Sequence, residues 1–150
     1  MIEKLNVADY RIPDGILHDQ RLEKVTFDKE NEKLIFNFNI RFFSDYDGDV
    51  FCERYKNFTK CEMICRIKDG PYSQNFVSME TTAYHETGGK IRIILLDEFV
   101  NLVNSAKYYF TYLDTALLHY GAIIHLSCYN NEYSAFKIEL ELDEIEYNWQ

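Results

Sequence analysis

The chain has few structure breakers. Two prolines and six glycines in 150 residues suit long strands joined by short turns. Long apolar runs are missing too. The best of them, residues 91–96, has Arg92 inside it and falls far short of the roughly 20 residues a membrane helix needs. The opening MIEKLNVADYRIPDG shows no basic segment followed by an apolar one, so no secretory leader is read there and a cytoplasmic setting is the default expectation. The four cysteines, Cys52, Cys61, Cys65 and Cys128, have no framework spacing and are expected to be reduced thiols. Cations are scarce as well, 16 against 25 carboxylates, for a net charge of −9. That disfavours nucleic acid, whose phosphates would be repelled. The densest basic stretch, residues 54–60, holds three cations beside Glu53 and is too thin to reverse this.

Reaction chemistry is equally hard to find. No glycine-rich phosphate loop, G-x-S-x-G or H-E-x-x-H occurs, so no cofactor is expected and no catalytic set is assigned. Cys61 and Cys65 share a strand face with Met63 and Ile67, which makes them core rather than metal ligands. His125 and Cys128 are an odd number of residues apart and point to opposite faces of a strand, unlike the close pairs that hold zinc. Asp45, Asp47 and Asp49 suggest the start of a calcium loop. Counting from Asp45, however, Val50 and Lys56 occupy the positions where an EF-hand needs Gly and Glu. His18-Asp19 resembles half of a metal phosphohydrolase signature, but it leads into a strand instead of a helix. No metal site is expected.

What is present is alternation. In residues 133–149, YSAFKIELELDEIEYNW, the apolar Ile138, Leu140 and Leu142 alternate with Lys137, Glu139, Glu141 and Asp143. Strand side chains point to opposite faces with a period of two, so one face is greasy and the other acidic. After Asp143-Glu144 the phase slips by one, and Ile145, Tyr147 and Trp149 take the apolar role. One extra residue is what a β-bulge inserts. Residues 22–27 and 33–43 predict a hairpin around the polar DKENE loop, with Leu34, Phe36, Phe38, Ile40 and Phe42 on one face. Further strands are predicted at 59–68, 74–82, 108–116 and 122–129, and at 90–96, whose apolar run suggests cover on both faces. Turns are predicted at Pro13-Asp14-Gly15, Asp69-Gly70-Pro71, Gly88-Gly89 and Asn130-Asn131. One helix is predicted near 97–105, with Asp97 as N-cap and Phe99, Val100, Leu102 and Val103 as its apolar side.

At this length a single domain, 1–150, is expected, burying roughly 68–70% of its unfolded surface. Seven or eight strands and one helix make an α+β, mainly antiparallel β domain. The strands lie in a curved sheet wrapped on the helix or in a two-layer sandwich.

The acidic strand face is complementary to a basic protein partner and would speed encounter with it, although acidity also serves plain solubility. Tyrosine adds a second signal. The chain has 12, many of them late, and tyrosine is enriched at interfaces. The candidate partner-binding residues are therefore Glu139, Glu141, Asp143 and Glu146, with Tyr109 and Trp149 as aromatic anchors. The other class of function is a small-molecule binder or enzyme whose pocket lies between sheet and helix, with His119 or His125 as its polar residue. A third is self-association as a homodimer in place of a monomer. The charged final strand argues against open edge pairing.

The segment ILHDQRLEKV at 16–25, followed by a hairpin whose second strand carries Leu34-Ile35-Phe36-Asn37-Phe38, resembles the start of a group of small bacterial domains. The ending Ile145-Glu146-Tyr147-Asn148-Trp149 is similar to their closing strand. Some of these domains are classed as immunity proteins of bacterial polymorphic toxin systems. The resemblance implies a cytosolic protein that binds a toxin domain, often basic, and blocks it one to one. It also implies that His18 and Asp19 fix the N-terminal turn and do no chemistry.

Overall fold

A computed structural model of the chain describes residues 1–6, 14–41, 53–68, 75–82, 90–129 and 133–150. The Asp45–Asp49 loop and the turns at Asp69-Gly70-Pro71, Gly88-Gly89 and Asn130-Asn131 lie outside the described residues, as does Pro13. The elements in chain order are β1 (Ile2–Asn6), α1 (Asp14–Leu17), β2 (Arg21–Asp28), β3 (Lys33–Asn39), β4 (Lys60–Ile67), β5 (Phe76–Thr82), β6 (Lys90–Ile94), α2 (Leu96–Asn104), β7 (Tyr109–Leu118), β8 (Gly121–Tyr129) and β9 (Tyr133–Trp149). Every strand pairing is antiparallel.

The sheet is curved, as expected, and it closes on itself instead of packing as a two-layer sandwich. Strands run in the order β4-β3-β2-β7-β8-β9, and β9 pairs back onto β4. That closes a six-stranded barrel, with β5, β6 and β1 attached outside the ring. Closure depends on the length of β9. Up to Glu141 it pairs with β8, and over Tyr133 to Glu139 with β5. From Leu142 onward it pairs with β4, and with β1 beyond the bulge. The ring requires β8 and β4 on opposite edges of β9, so β5 shares the edge of β4 and β1 shares that of β8.

The phase slip is real. Arg66 pairs with Glu144 and Ile67 with Leu142, leaving Asp143 as the extra residue. Phe136, Ile138, Leu140 and Leu142 before the bulge, and Ile145, Tyr147 and Trp149 after it, are all buried. A strand of this length cannot follow a tightly curved ring while straight, and a bulge supplies the bend.

The weakest seam is between β2 and β7, which share only the pairs Arg21–Thr111 and Leu22–Phe110. A register shift between Leu22 and Lys24 then turns β2 away. Helix α2 fills the gap. The Asn104 side chain accepts from the Val25 N–H at 3.0 Å and donates to the Val25 carbonyl at 2.7 Å, so the backbone groups left by the broken ladder keep partners. Phe99 projects from the same helix into the ring interior. It is fully buried against Phe36, Phe110 and Phe136, and a buried ring of this kind contributes about 3 kcal/mol. Gln20 extends the β2–β3 ladder with its side chain, accepting from the Arg41 N–H and donating to the Arg41 carbonyl.

Several expectations are corrected. The helix begins at Leu96, its N-cap is Leu95, and no side chain caps it. Asp97 instead sits in the first turn, where its charge suits the helix dipole. The Pro13-Asp14-Gly15 turn gives way to one helical turn from Asp14. β6 is not covered on both faces, because only Ile94 of its five residues is buried. β1 is an additional strand.

Candidate functional site

The outward residues of β9 form the acidic surface anticipated from alternation, and the bulge divides it in two. Beyond the bulge the acids are paired within the chain. Glu144 accepts from Lys4 at 3.2 Å and from Arg66 at 3.1 Å. Glu146 lies 3.4 Å from the same Lys4, and Asp143 lies 2.8 Å from Lys68. The two hydrogen bonds to carboxylates hold the Lys4 ammonium above its ordinary value, and the bond from Lys4 holds the Glu144 carboxyl below its own.

Before the bulge the surface is different. Among the described residues no Lys or Arg nitrogen lies within 4 Å of Glu139 or Glu141. Register places Ile123 on one side of Glu139 and Phe76 on the other, both half-buried. The half-exposed Tyr120 donates its hydroxyl to Glu139 Oε1 at 3.0 Å, and this bond holds the phenol above its ordinary value. Gly121 makes that contact possible. A Cβ there would sit 1.9 Å from the Leu140 carbonyl oxygen, so only glycine lets the β7–β8 turn close onto β9.

The remaining candidates are scattered. Tyr109 is exposed with the Arg21 guanidinium over its ring. It pairs with Tyr129, six residues along β8 from the partner of Glu139, or roughly 20 Å at the rise of a strand. Trp149 as an exposed anchor is a correction. It is 1% exposed, packs on Tyr55 at 4.7 Å between centroids, and donates its indole N–H to Glu3 at 2.8 Å. Glu3 also accepts from the Tyr55 hydroxyl and pairs with Arg54. Burial and the Glu3 carboxylate push Tyr55 up to about 12. Trp149 therefore belongs to the hydrogen-bonded core.

Phe99 projects into the space between helix and sheet, the expected place of a ligand pocket, and is fully buried there. A depression of about 230 Å³ does occur, but on the outer wall of β2–β3–β4, lined by Glu23, Asn37, Asn39, Lys60, Glu62 and Gln150. Its Glu62 already accepts from Asn148 and Gln150. His125 bonds Asp114 on the outer face, and His18 Nδ1 lies 3.1 Å from a carboxylate oxygen of its neighbour Asp19, which adopts a positive φ of 63°. Burial raises the thiols of Cys61, Cys65 and Cys128, the last to about 11, so none of the three is an activated nucleophile.

Compared with protein-family models, with curated proteins and with solved structures, the chain matches none.

Proposed function

We propose that this chain is a non-enzymatic binding protein that docks a basic protein partner on the outer face of the first half of β9. Neutralisation of a basic toxin domain by one-to-one occlusion is the most concrete form of this activity. The observation that carries it is the contrast within one strand. Asp143, Glu144 and Glu146 have cations of their own, whereas Glu139 and Glu141 have none within 4 Å among the described residues. Carboxylates without a neighbouring Lys or Arg, flanked by Ile123, Phe76 and Tyr120, suit a lysine or arginine set in apolar surroundings, the composition of an interface centre. Charge of this kind speeds association and makes it salt-dependent.

The test is a pull-down with the tagged chain from a lysate of the source cells, at low and at moderate salt, followed by mass spectrometry. The expected result is a stoichiometric basic protein that is released as salt rises and is not retained by the Glu139→Lys/Glu141→Lys variant. Retention of the same protein by that variant, with unchanged salt dependence, would remove this face from the interface.

A further inference from the structure

Strand β6 has the opposite character to the acidic face, and it carries an inference independent of the proposed function. Ile91, Ile93 and Leu95 are 71%, 59% and 74% exposed. The backbone remains extended through Leu95 (φ −76°, ψ 155°), so all three fall on one face of one ribbon. Among the described residues β6 pairs with β5 alone, which leaves its other edge of N–H and C=O groups open. Natural sheets blunt such edges with proline, bulges or charged side chains on either face. Lys90 and Arg92 supply charge on one face of β6, whereas the outward positions of the other are aliphatic.

We propose that the chain forms a symmetric homodimer in which β6 pairs antiparallel with β6 of a second copy, Ile93 lying on the two-fold axis. A two-fold axis perpendicular to the sheet pairs residues of the same face, so few registers exist. With Arg92 on the axis, two guanidinium groups would oppose each other, which is unfavourable. Moving the axis to Ile93 removes that conflict. Ile93 then meets Ile93 of the second copy, Ile91 meets Leu95, and Arg92 meets Ile94. All three exposed aliphatics gain an aliphatic cross-strand neighbour by one operation. Lys90 has no carboxylate within 4 Å among the described residues, and this register sets it opposite Leu96 of the second copy. There it adjoins Asp97 and Glu98 in the acidic first turn of α2, each of which also faces one cation of its own copy, Lys29 and Arg92. The dimer joins two sheets into one and turns both outer faces to the same side. It thereby presents two Glu139/Glu141 surfaces side by side, so that a partner with two basic patches would gain avidity.

Sedimentation equilibrium of the purified chain, from about 1 μM to about 200 μM, tests this against the range in which weak dimers form. The wild type is expected to reach dimer and stop there. Ile93→Glu places two carboxylates across the axis and should raise the dissociation constant at least ~100-fold. Lys90→Glu should raise it ~10-fold, through repulsion by the second copy's acidic turn. Ile2→Glu, at an equally exposed isoleucine on β1 (62%), should leave it unchanged. These positions are exposed, so circular dichroism should show the native fold throughout. A wild type that stays monomeric, species larger than dimer, an Ile93→Glu variant that associates normally, or a Lys90→Glu variant without effect would each overturn the proposal. Partner binding through Glu139 and Glu141 does not require the dimer, so failure of either proposal is visible without the other.

Discussion

The two halves of β9 present carboxylates outward at the same spacing, yet the carboxylates have different surroundings. Beyond Asp143 the strand lies between β4 and β1, and each neighbour places a cation beside it: Arg66 from β4 and Lys4 from β1. Before Asp143 the neighbours are β8 and β5, which place Ile123 and Phe76 beside Glu139 and the bare Gly121 beside Glu141. One half therefore uses its acids to hold the barrel's last strands together. The other leaves them without a cation within 4 Å among the described residues, Glu139 taking only the Tyr120 hydroxyl. Acidity alone does not distinguish a site from a structural ladder; the residues across the register do.

That contrast can be broken at several levels. The largest effect is expected from Trp149→Ala, which removes a buried ring and the indole bond to Glu3. Urea denaturation should show a loss of about 3–5 kcal/mol, while the folded fraction keeps its partner binding. An unaltered midpoint would mean that Trp149 is not in the core.

A sharper test swaps charge. Glu139→Lys/Glu141→Lys should slow association at low salt by about ten-fold or more, with stability within ~0.5 kcal/mol of the wild type. The smallest effect belongs to the paired half. Glu144→Gln should cost at most ~1 kcal/mol, as exposed pairs do. It should also change the acid limb of the stability curve. Because the folded Glu144 carboxyl is held below its ordinary 4.5, its contribution is complete above that pH. It is lost as pH falls through the lower folded value. Lys4 has the opposite sign, since its raised folded value gives a contribution lost only as pH climbs above the lysine range. Thermal melts of wild type and Glu144→Gln should therefore differ at neutral pH and converge in strong acid.

Much of the β structure was legible because period-two alternation is a local signal. Leu34, Phe36 and Phe38 on β3, Cys61, Met63, Cys65 and Ile67 on β4, and the bulge in β9 all appear in the sequence as they appear in the barrel. Closure was not legible. It depends on β9 crossing from β8 to β4, and nothing in Ile145 to Trp149 names the strand across the register. β1 escaped notice because Glu3 breaks its alternation by pointing toward Trp149 and Tyr55. The apolar Ile91–Ile93–Leu95 ribbon suggested burial, since the hydropathy of a short run does not distinguish a central strand from an uncovered edge. Trp149 as an anchor contradicted its own phase, because the slip that turns Ile145 and Tyr147 inward turns Trp149 inward too. Of the candidate site, Glu139 and Glu141 could be named from pattern alone. Which acids find cations depended on Lys4, Arg66 and Lys68, all distant in sequence.

In the proposed function the half of β9 before the bulge binds a partner and the half after it holds the fold together. The most direct test of this division is a side-by-side retention experiment with three tagged proteins: wild type, Glu139→Lys/Glu141→Lys, and Glu144→Gln/Glu146→Gln. The basic partner is expected to stay with the first and third and to leave the second. Loss from the third with retention on the second would contradict this division.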